Sequence, residues 1–217
     1  MHKISHGKIP EVIYRSLGTI FHNYRIDRTS IQRELHEFRI RYPFWRGKIK
    51  EMPLAVIRPA STGGLRDLVS KAREKHVCLL AYGSGPGIYR KLPIRKSIII
   101  DIRRLVKLIP LDKHAFVAPA GATLYNIRRE IEVDNHNPEE SKFLEVTVGD
   151  HAIDAIFDRH THRSFNSEFR ISDIIVVGPD GEESVFKPED LKAPLLKGEG
   201  IGIITDIVLV KITRHFL

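Results

Sequence analysis

The fold is decided by an apolar segment that runs straight into a glycine-rich loop, Val77-Cys-Leu-Leu-Ala-Tyr82-Gly-Ser-Gly-Pro-Gly-Ile88. The segment 77–82 predicts a β-strand, because it is short, apolar and bounded by a turn signal. The alternating glycines after it let backbone N–H groups converge on one point without interference from Cβ atoms. Such a loop suits a phosphate group, although an ordinary glycine-rich turn would use the same residues.

The loop differs from the two best-known phosphate-binding patterns. The dinucleotide fingerprint needs a helix directly after the glycines and an acid about 20 residues later. Pro86 and Pro93 follow here instead. A P-loop needs a Gly-Lys-Ser/Thr sequence, which the chain does not contain. The phosphate interpretation therefore depends on the position of the loop after a strand.

Short apolar runs alternate with helical periodicity on both sides of the loop. Before residue 132 we predict strands at 54–57, 77–82, 97–101 and 115–119, with helices at 64–75 and from about 120 to 131. The first strand–helix–strand unit favours parallel pairing. Beyond residue 145 we predict a helix at 151–158, a helical turn at 191–196, and strands at 173–177 and 203–212, with a hairpin turn at 179–181.

These patterns divide the chain into three parts. Residues 1–52 form a basic extension with two amphipathic helices, 53–131 form a first α/β lobe with the glycine-rich loop, and 145–217 form a second α/β lobe. The polar, acidic segment 132–145 connects the two lobes. The predicted fold class is α+β, with a small β-α-β lobe and a second lobe built on a mixed or antiparallel sheet.

Composition bounds the kind of protein. The chain has 217 residues, of which 42% are hydrophobic, so it can bury a core. No apolar run approaches the roughly 20 residues that cross a bilayer, and the N-terminus lacks the apolar stretch of a signal peptide. We therefore expect a cytoplasmic protein without a membrane span. The single cysteine, Cys78, excludes an internal disulfide and is expected to be a buried strand residue.

The net charge of +8 is unevenly distributed. Residues 1–52 hold eleven Lys and Arg against five acids, so they carry +6 of the excess. Apolar residues recur there at helical spacing, which favours packing and makes nucleic acid an unlikely partner. A docking surface for a partner subunit or an anionic cofactor is the alternative.

Histidines raise the question of a metal site. His160 and His162, with His151 and Asp158 nearby, have suitable donor atoms. In a loop, however, this spacing has little meaning, so we predict a solvated polar loop and no metal.

Further glycine-bearing segments occur in a fixed order along the chain. They are Ala120-Gly-Ala122, Thr147-Val-Gly149, Val176-Val-Gly-Pro-Asp-Gly181 and Gly198-Glu-Gly-Ile-Gly-Ile-Ile-Thr205. With Pro53–Pro59 and Ser97–Leu105, this series resembles the FAD-binding domain of the vanillyl-alcohol oxidase and para-cresol methylhydroxylase superfamily, especially its glycolate oxidase and D-lactate dehydrogenase branch. The resemblance extends from about Leu54 to Ile212.

The resemblance implies FAD as the cofactor and assigns its binding residues. A first group would wrap the pyrophosphate: Tyr82, Gly83, Ser84, Gly85, Pro86, Gly87 and Ile88. A second would line the flavin and ribityl side: Thr147, Val148, Gly149 and Asp150. A third would lie near the adenine: Gly200, Ile201, Gly202, Ile203 and Ile204. Catalytic residues are not identified.

Two acids depart from the family pattern, because Asp150 and Asp158 stand where the family has glycines. We also expect the chain to lack the substrate-binding cap domain that enzymes of the family carry. We therefore expect an FAD-binding domain or subunit of a flavin-dependent oxidoreductase acting on 2-hydroxy acids, incomplete as an enzyme by itself. A partner subunit would supply the substrate site, and a homo-oligomer is possible. The alternative is a flavin-free, non-catalytic module that binds a protein partner or nucleic acid through its basic helices.

Overall fold

The computed structural model describes residues 54–83, 97–131, 146–157, 169–197 and 200–212. Several predictions fall outside these ranges: the two helices of the extension, Ser84–Ile88 of the glycine-rich loop, the connection at 132–145, and the residues Asp158, His160 and His162. All element bounds below refer to the described residues.

One sheet is parallel and has three strands, with one helix in the connection between the first two strands of the chain. Along the chain come β1 (Ala55–Ile57), α1 (Thr62–Glu74), β2 (Cys78–Tyr82) and β3 (Ser97–Asp101). The strand order is β1-β3-β2 and both pairings are parallel. The Ser61 side chain caps α1 by accepting a hydrogen bond from the Gly64 backbone N–H at 3.1 Å. β3 is central and all five of its residues are buried.

The second sheet has five antiparallel strands. These are β4 (Ile109–Pro110), β5 (Ala115–Pro119), β6 (Phe169–Val177), β7 (Glu183–Phe186) and β8 (Ile203–Lys211), in the order β4-β5-β8-β6-β7. Three helices accompany it: α2 (Leu124–Glu130), α3 (Val148–Phe157) and α4 (Pro188–Leu196). This sheet therefore contains strands from before and after the predicted connection at 132–145.

The fold class is confirmed: the chain is a mixed α+β protein with one parallel and one antiparallel sheet. Several bounds differ from the sequence prediction, among them the starts of α3 and β6. α3 begins at Val148 and not at residue 151, because the Thr147 carbonyl already accepts from the His151 N–H at 3.1 Å. β6 begins at Phe169 and not at residue 173, because a bulge between Ile171 and Asp173 interrupts the alternation of side chains.

The prediction for Cys78 was wrong, because this residue is exposed. Cys78 is the first residue of β2, and β2 is an edge strand of the parallel sheet. An apolar neighbourhood in the sequence indicates a strand but does not place that strand at the centre of its sheet.

Candidate functional site

The candidate site lies at the carboxyl edge of the parallel sheet. Parallel strands end at the same edge, and here Tyr82 of β2 stands beside Asp101 of β3 in the pairing register. The glycine-rich loop leaves the sheet at this point through Gly83, which is buried. Ligands of open parallel sheets bind at carboxyl ends of strands, so this edge is where the sequence places its phosphate loop.

Gly83 brings the end of β2 against the start of α3. A Cβ atom on Gly83 would lie 2.3 Å from Thr147 Oγ1 and 2.5 Å from Asp150 Oδ2, both closer than van der Waals contact allows. The Thr147 hydroxyl in turn donates to Asp150 Oδ2 at 2.7 Å. A larger residue at position 83 would therefore have to displace the Thr147 and Asp150 side chains.

The start of α3 is fixed to the turn between β5 and α2. The Val148 N–H donates to the Ala122 carbonyl at 2.7 Å, and the Gly149 N–H donates to the Ala120 carbonyl at 2.9 Å. A Cβ atom on Gly149 would lie 3.0 Å from Ala120 Cβ. These two hydrogen bonds hold the start of α3 against the β5–α2 turn. The N–H groups of Val148 and Gly149 are therefore bonded within the protein.

Gly121 anchors the same turn to the parallel sheet. A Cβ atom at this position would lie 1.8 Å from the carbonyl oxygen of Ile102, in the 3-10 turn (Ile102–Arg104) that follows β3. The Ala120 N–H donates to the Thr205 carbonyl of β8 at 2.7 Å. The turn therefore contacts both the segment that follows β3 and strand β8.

The structure brings together two of the three predicted groups of site residues, as far as it describes them. Gly83 lies against Thr147 and Asp150. The third group lies at the start of β8, near the β5–α2 turn, because Thr205 bonds to Ala120. Within it, Ile203 and Ile204 are buried in the core, whereas Gly202 has a φ of +108° and lies against the Val177 carbonyl.

A buried ion cluster occupies the same sheet edge. Asp101 is 2% exposed and accepts hydrogen bonds from Arg58 Nε at 2.9 Å and from Arg103 Nε at 2.8 Å. Arg103 Nη2 adds a third at 2.6 Å. Burial alone would raise the pKa of Asp101, but the hydrogen bonds and charge of Arg103, with the bond from Arg58, hold that pKa below its ordinary value.

Sequence reasoning missed Arg58 and Arg103. The signal was present but weak: Arg58 directly follows β1, and Arg103 lies two residues after Asp101. Only the order β1-β3-β2 shows that both arginines reach the same carboxylate, because it places β3 between the other two strands.

A second acid lies where α1 meets the antiparallel sheet. Burial raises the pKa of Asp206, and the negative charge of Glu183 raises it further, against hydrogen bonds from Thr205 and Thr62 that lower it. A raised carboxyl pKa means that folding disfavours the ionised form. Asp206 therefore contributes most to stability below its ordinary pKa of 3.8, and that contribution is lost as the pH rises through the value in the folded protein.

We expect Asp206→Asn to stabilise the protein at pH 7 by on the order of 1 kcal/mol, because asparagine keeps hydrogen-bonding capacity without a buried charge. The gain should disappear at about pH 2.5, more than one unit below the ordinary pKa of 3.8, where the aspartate is protonated in both states. Urea unfolding at the two pH values measures this, with Asp67→Asn on the exposed face of α1 as the control. A destabilised Asp206→Asn protein at pH 7 would contradict the assignment.

Metal ligation finds no support within the described ranges, where no three His, Cys, Asp or Glu side chains are grouped to hold an ion. Among the helices of these ranges, none combines the length and apolar character that a bilayer crossing requires.

Comparison with known proteins identifies the family. Residues 53–184 match the family model described as FAD binding domain. A search of curated protein sequences finds no significant match. Among solved structures, an alkyldihydroxyacetonephosphate synthase aligns with 97% of this chain at 20% identity and a TM-score of 0.65. p-Cresol methylhydroxylase aligns with 75% of this chain at 12% identity and a TM-score of 0.55. A berberine bridge enzyme variant aligns with 83% of this chain at 17% identity and a TM-score of 0.53.

The chain is shorter than these proteins: it spans 42% of the synthase, 36% of the methylhydroxylase and 39% of the berberine bridge enzyme. Identities at this level establish a shared fold. The match to the glycolate oxidase branch, which the motifs suggested, finds no support among these neighbours.

The described residues fit FAD as the family's cofactor. The loop that begins at Gly83 leaves a sheet edge that carries two guanidinium groups, which suits an anionic diphosphate. Asp150 opposes this fit locally, since its carboxylate lies beside Gly83. Because the family model covers 53–184, more than half of the chain, the protein belongs to the FAD binding domain family.

Proposed function

We propose that this chain binds FAD at the carboxyl edge of its parallel sheet and serves as the flavin-binding part of a flavin-dependent oxidoreductase. One observation carries the proposal: Gly83, the β5–α2 turn and the start of α3 meet at that edge, each at a glycine that permits close backbone approach. Together they form a rigid base from which the glycine-rich loop leaves the sheet.

In this proposal the chain's residues bind and orient the cofactor. Gly83 positions the start of the loop, and the hydrogen bonds from Val148 and Gly149 hold α3 against the β5–α2 turn. When bound, FAD supplies the redox chemistry by accepting a hydride from a substrate C–H bond. A protein contributes binding, orientation and electrostatics to such a reaction, and this is the part that the described residues are built to supply.

We further propose a 2-hydroxy acid as the substrate class and a partner subunit as the source of the substrate-contacting groups. The substrate class is supported by the resemblance of the motifs to the glycolate oxidase and D-lactate dehydrogenase branch. The partner is proposed because the described site residues are assigned to the cofactor and none of them is assigned to the substrate.

Spectroscopy of the purified full chain tests this proposal. We expect a visible flavin spectrum, or its appearance after incubation with FAD and gel filtration. Under anaerobic conditions glycolate or D-lactate should then bleach that spectrum once the partner is present, whereas acetate, which lacks the hydroxyl group, should not. Bound flavin that no 2-hydroxy acid bleaches would refute the substrate class alone. Absence of any bound flavin would refute the proposed function.

One observation favours a second candidate, a flavin-free module of the same fold. The Asp150 carboxylate lies beside Gly83 and would repel a nearby phosphate, since close like charges at a protein surface cost on the order of a few kcal/mol. The basic residues 1–52 would then bind a protein partner or nucleic acid. Salt-sensitive retention on nucleic acid that disappears when residues 1–52 are deleted would support this candidate.

The same carboxylate gives a prediction about affinity. We expect Asp150→Gly to tighten FAD binding by about tenfold, because it removes a negative charge from the start of α3, beside Gly83. Equilibrium titration followed by flavin fluorescence measures the dissociation constant, and Asp150→Asn should give most of the gain because it also removes the charge. Weaker binding by both variants would show that Asp150 supports the cofactor.

A further inference from the structure

One edge of the antiparallel sheet exposes apolar side chains that the proposed function does not use. At the edge strand β4, Ile109 and Leu111 are 54% and 56% exposed, and Val106 shortly before them is 40% exposed. The Leu111 N–H donates to the Ala115 carbonyl at 3.0 Å and so continues the pairing of β4 with β5. Ile109 and Leu111 are two residues apart in this extended segment, so their side chains lie on one face. Exposed apolar side chains grouped in this way are typical of an interaction surface.

The segment that carries these side chains is anchored to the core. Leu105, Leu108 and Phe116 are buried. The Phe116 ring packs edge-on against the ring of Phe169, with the ring centroids 5.4 Å apart. The exposure of the apolar side chains is therefore a property of a packed hairpin.

Basic side chains surround the exposed apolar ones. We define the hairpin patch as residues 104–114 together with Lys211, whose N–H donates to the His114 carbonyl at 2.6 Å beside the β4–β5 turn. The acid in this patch, Asp112, accepts backbone hydrogen bonds from His114 and Ala115 at 2.6 and 2.8 Å, which hold its carboxylate within the turn. Four positive charges and this one negative charge leave a net charge of +3. The basic residues, all exposed, are Arg104, Lys107, Lys113 and Lys211.

The chemistry of the hairpin patch favours an anionic lipid surface over other occupants. A second copy of the chain would bring two positive patches together, and Pro110 has no N–H group with which to extend the sheet to another strand. Protein interfaces are enriched in aromatic residues and depleted in lysine, and single-stranded nucleic acids stack on aromatic rings. The patch contains no Phe, Tyr or Trp. Aliphatic side chains flanked by Lys and Arg are typical of segments that enter the headgroup layer of a bilayer.

We propose that the hairpin patch docks on the surface of an anionic membrane, with its aliphatic side chains in the headgroup layer and its basic side chains against the anionic headgroups. Such contact lies at the surface and requires no segment that crosses the bilayer. The patch lies on the antiparallel sheet, and none of its residues is among those proposed to bind FAD. The inference therefore goes beyond the proposed function and does not depend on it.

Sedimentation of the full chain with lipid vesicles tests the proposal. We expect binding to mixed phosphatidylcholine and phosphatidylglycerol vesicles to be more than about tenfold stronger than to phosphatidylcholine alone, because each Lys or Arg near an anionic surface contributes roughly fivefold. Added salt should remove most of this difference. Equal binding to both kinds of vesicle would overturn the proposal. Binding to neither would also overturn it and leave an acidic protein face as the occupant.

An apolar variant locates the contact, because the basic residues 1–52 also attract anionic vesicles. We expect Leu111→Ser to weaken vesicle binding by about tenfold, since it removes an aliphatic side chain that would leave water on docking. Val185→Ser is the matched control and should bind as the unaltered chain does. Val185 is 65% exposed and lies in β7, at the opposite edge of the same sheet.

A charge variant tests the basic side chains separately. The double variant Lys107→Gln/Lys113→Gln should weaken binding to the anionic vesicles by about 20-fold. Lys75→Gln, at the exposed end of α1, removes the same kind of charge elsewhere and should change this binding by less than about twofold. Binding that persists unchanged in Leu111→Ser and in the double variant would place the contact on another part of the chain and overturn the assignment to the hairpin patch.

Discussion

Replacing Gly121 with alanine is expected to destabilise the fold by about 3 kcal/mol or more, the upper range for overpacking a well-packed site. The added Cβ would lie 1.8 Å from the Ile102 carbonyl oxygen, 2.6 Å from the Ile102 carbonyl carbon and 2.9 Å from the Leu105 carbonyl oxygen. All three atoms belong to the backbone, so no side chain can rotate to relieve the contact. Urea unfolding followed by circular dichroism measures the loss.

The matched control is Gly63→Ala. Gly63 lies in α1, and a Cβ atom there meets nothing within 4 Å. Because alanine is the better helix former, this variant should be more stable than the unaltered chain by about 0.5–1 kcal/mol. Equal stabilities for the two variants would show that the β5–α2 turn does not pack against the 3-10 turn as described.

Replacing Gly83 with valine is expected to weaken FAD binding by about 100-fold or more, which corresponds to roughly 3 kcal/mol. Thr147 Oγ1 and Asp150 Oδ2 occupy the space that the new side chain needs, so these two side chains must be displaced from the end of β2. That displacement disturbs the contact between the start of α3 and the beginning of the glycine-rich loop. A fluorescence titration with FAD gives the dissociation constant.

Two comparisons interpret this result. Gly63→Ala should bind FAD as the unaltered chain does, because Gly63 is exposed and a Cβ atom there would meet nothing within 4 Å. Circular dichroism of Gly83→Val should show retained secondary structure, since the clash involves side chains that can shift. Unchanged FAD affinity in a folded Gly83→Val protein would contradict the placement of the cofactor at this edge.

Much of the fold could be predicted from the sequence because its strands are short apolar runs with clear boundaries. β3 at Ser97–Asp101 and β5 at Ala115–Pro119 have the predicted limits. The two-residue β4 was not predicted, because Ile109 and Pro110 have no alternation of their own and pair only through contact with β5. The strand order could not be predicted from the sequence either. The exposure of Cys78 depends on that order, so it could not be predicted.

The glycines of the candidate site could be predicted from the sequence, whereas its charged residues could not. Gly83, Gly121 and Gly149 stood out because backbone approach demands glycine at fixed places in the motif order. Arg58 and Arg103 did not, because they are 45 residues apart in sequence and meet only through Asp101. Long-range pairing of this kind is set by sheet topology, which local patterns do not encode.

The most direct test of the central claim is the thermal unfolding of the unaltered full chain with and without FAD. A ligand that binds only the folded state at 100 times its dissociation constant stabilises it by about 2.7 kcal/mol, which for a chain of this size raises the melting temperature by roughly 5–10 °C. We predict an increase of this size with FAD that saturates with concentration. An unchanged melting temperature at millimolar FAD would contradict the assignment of this chain as a functional FAD-binding domain.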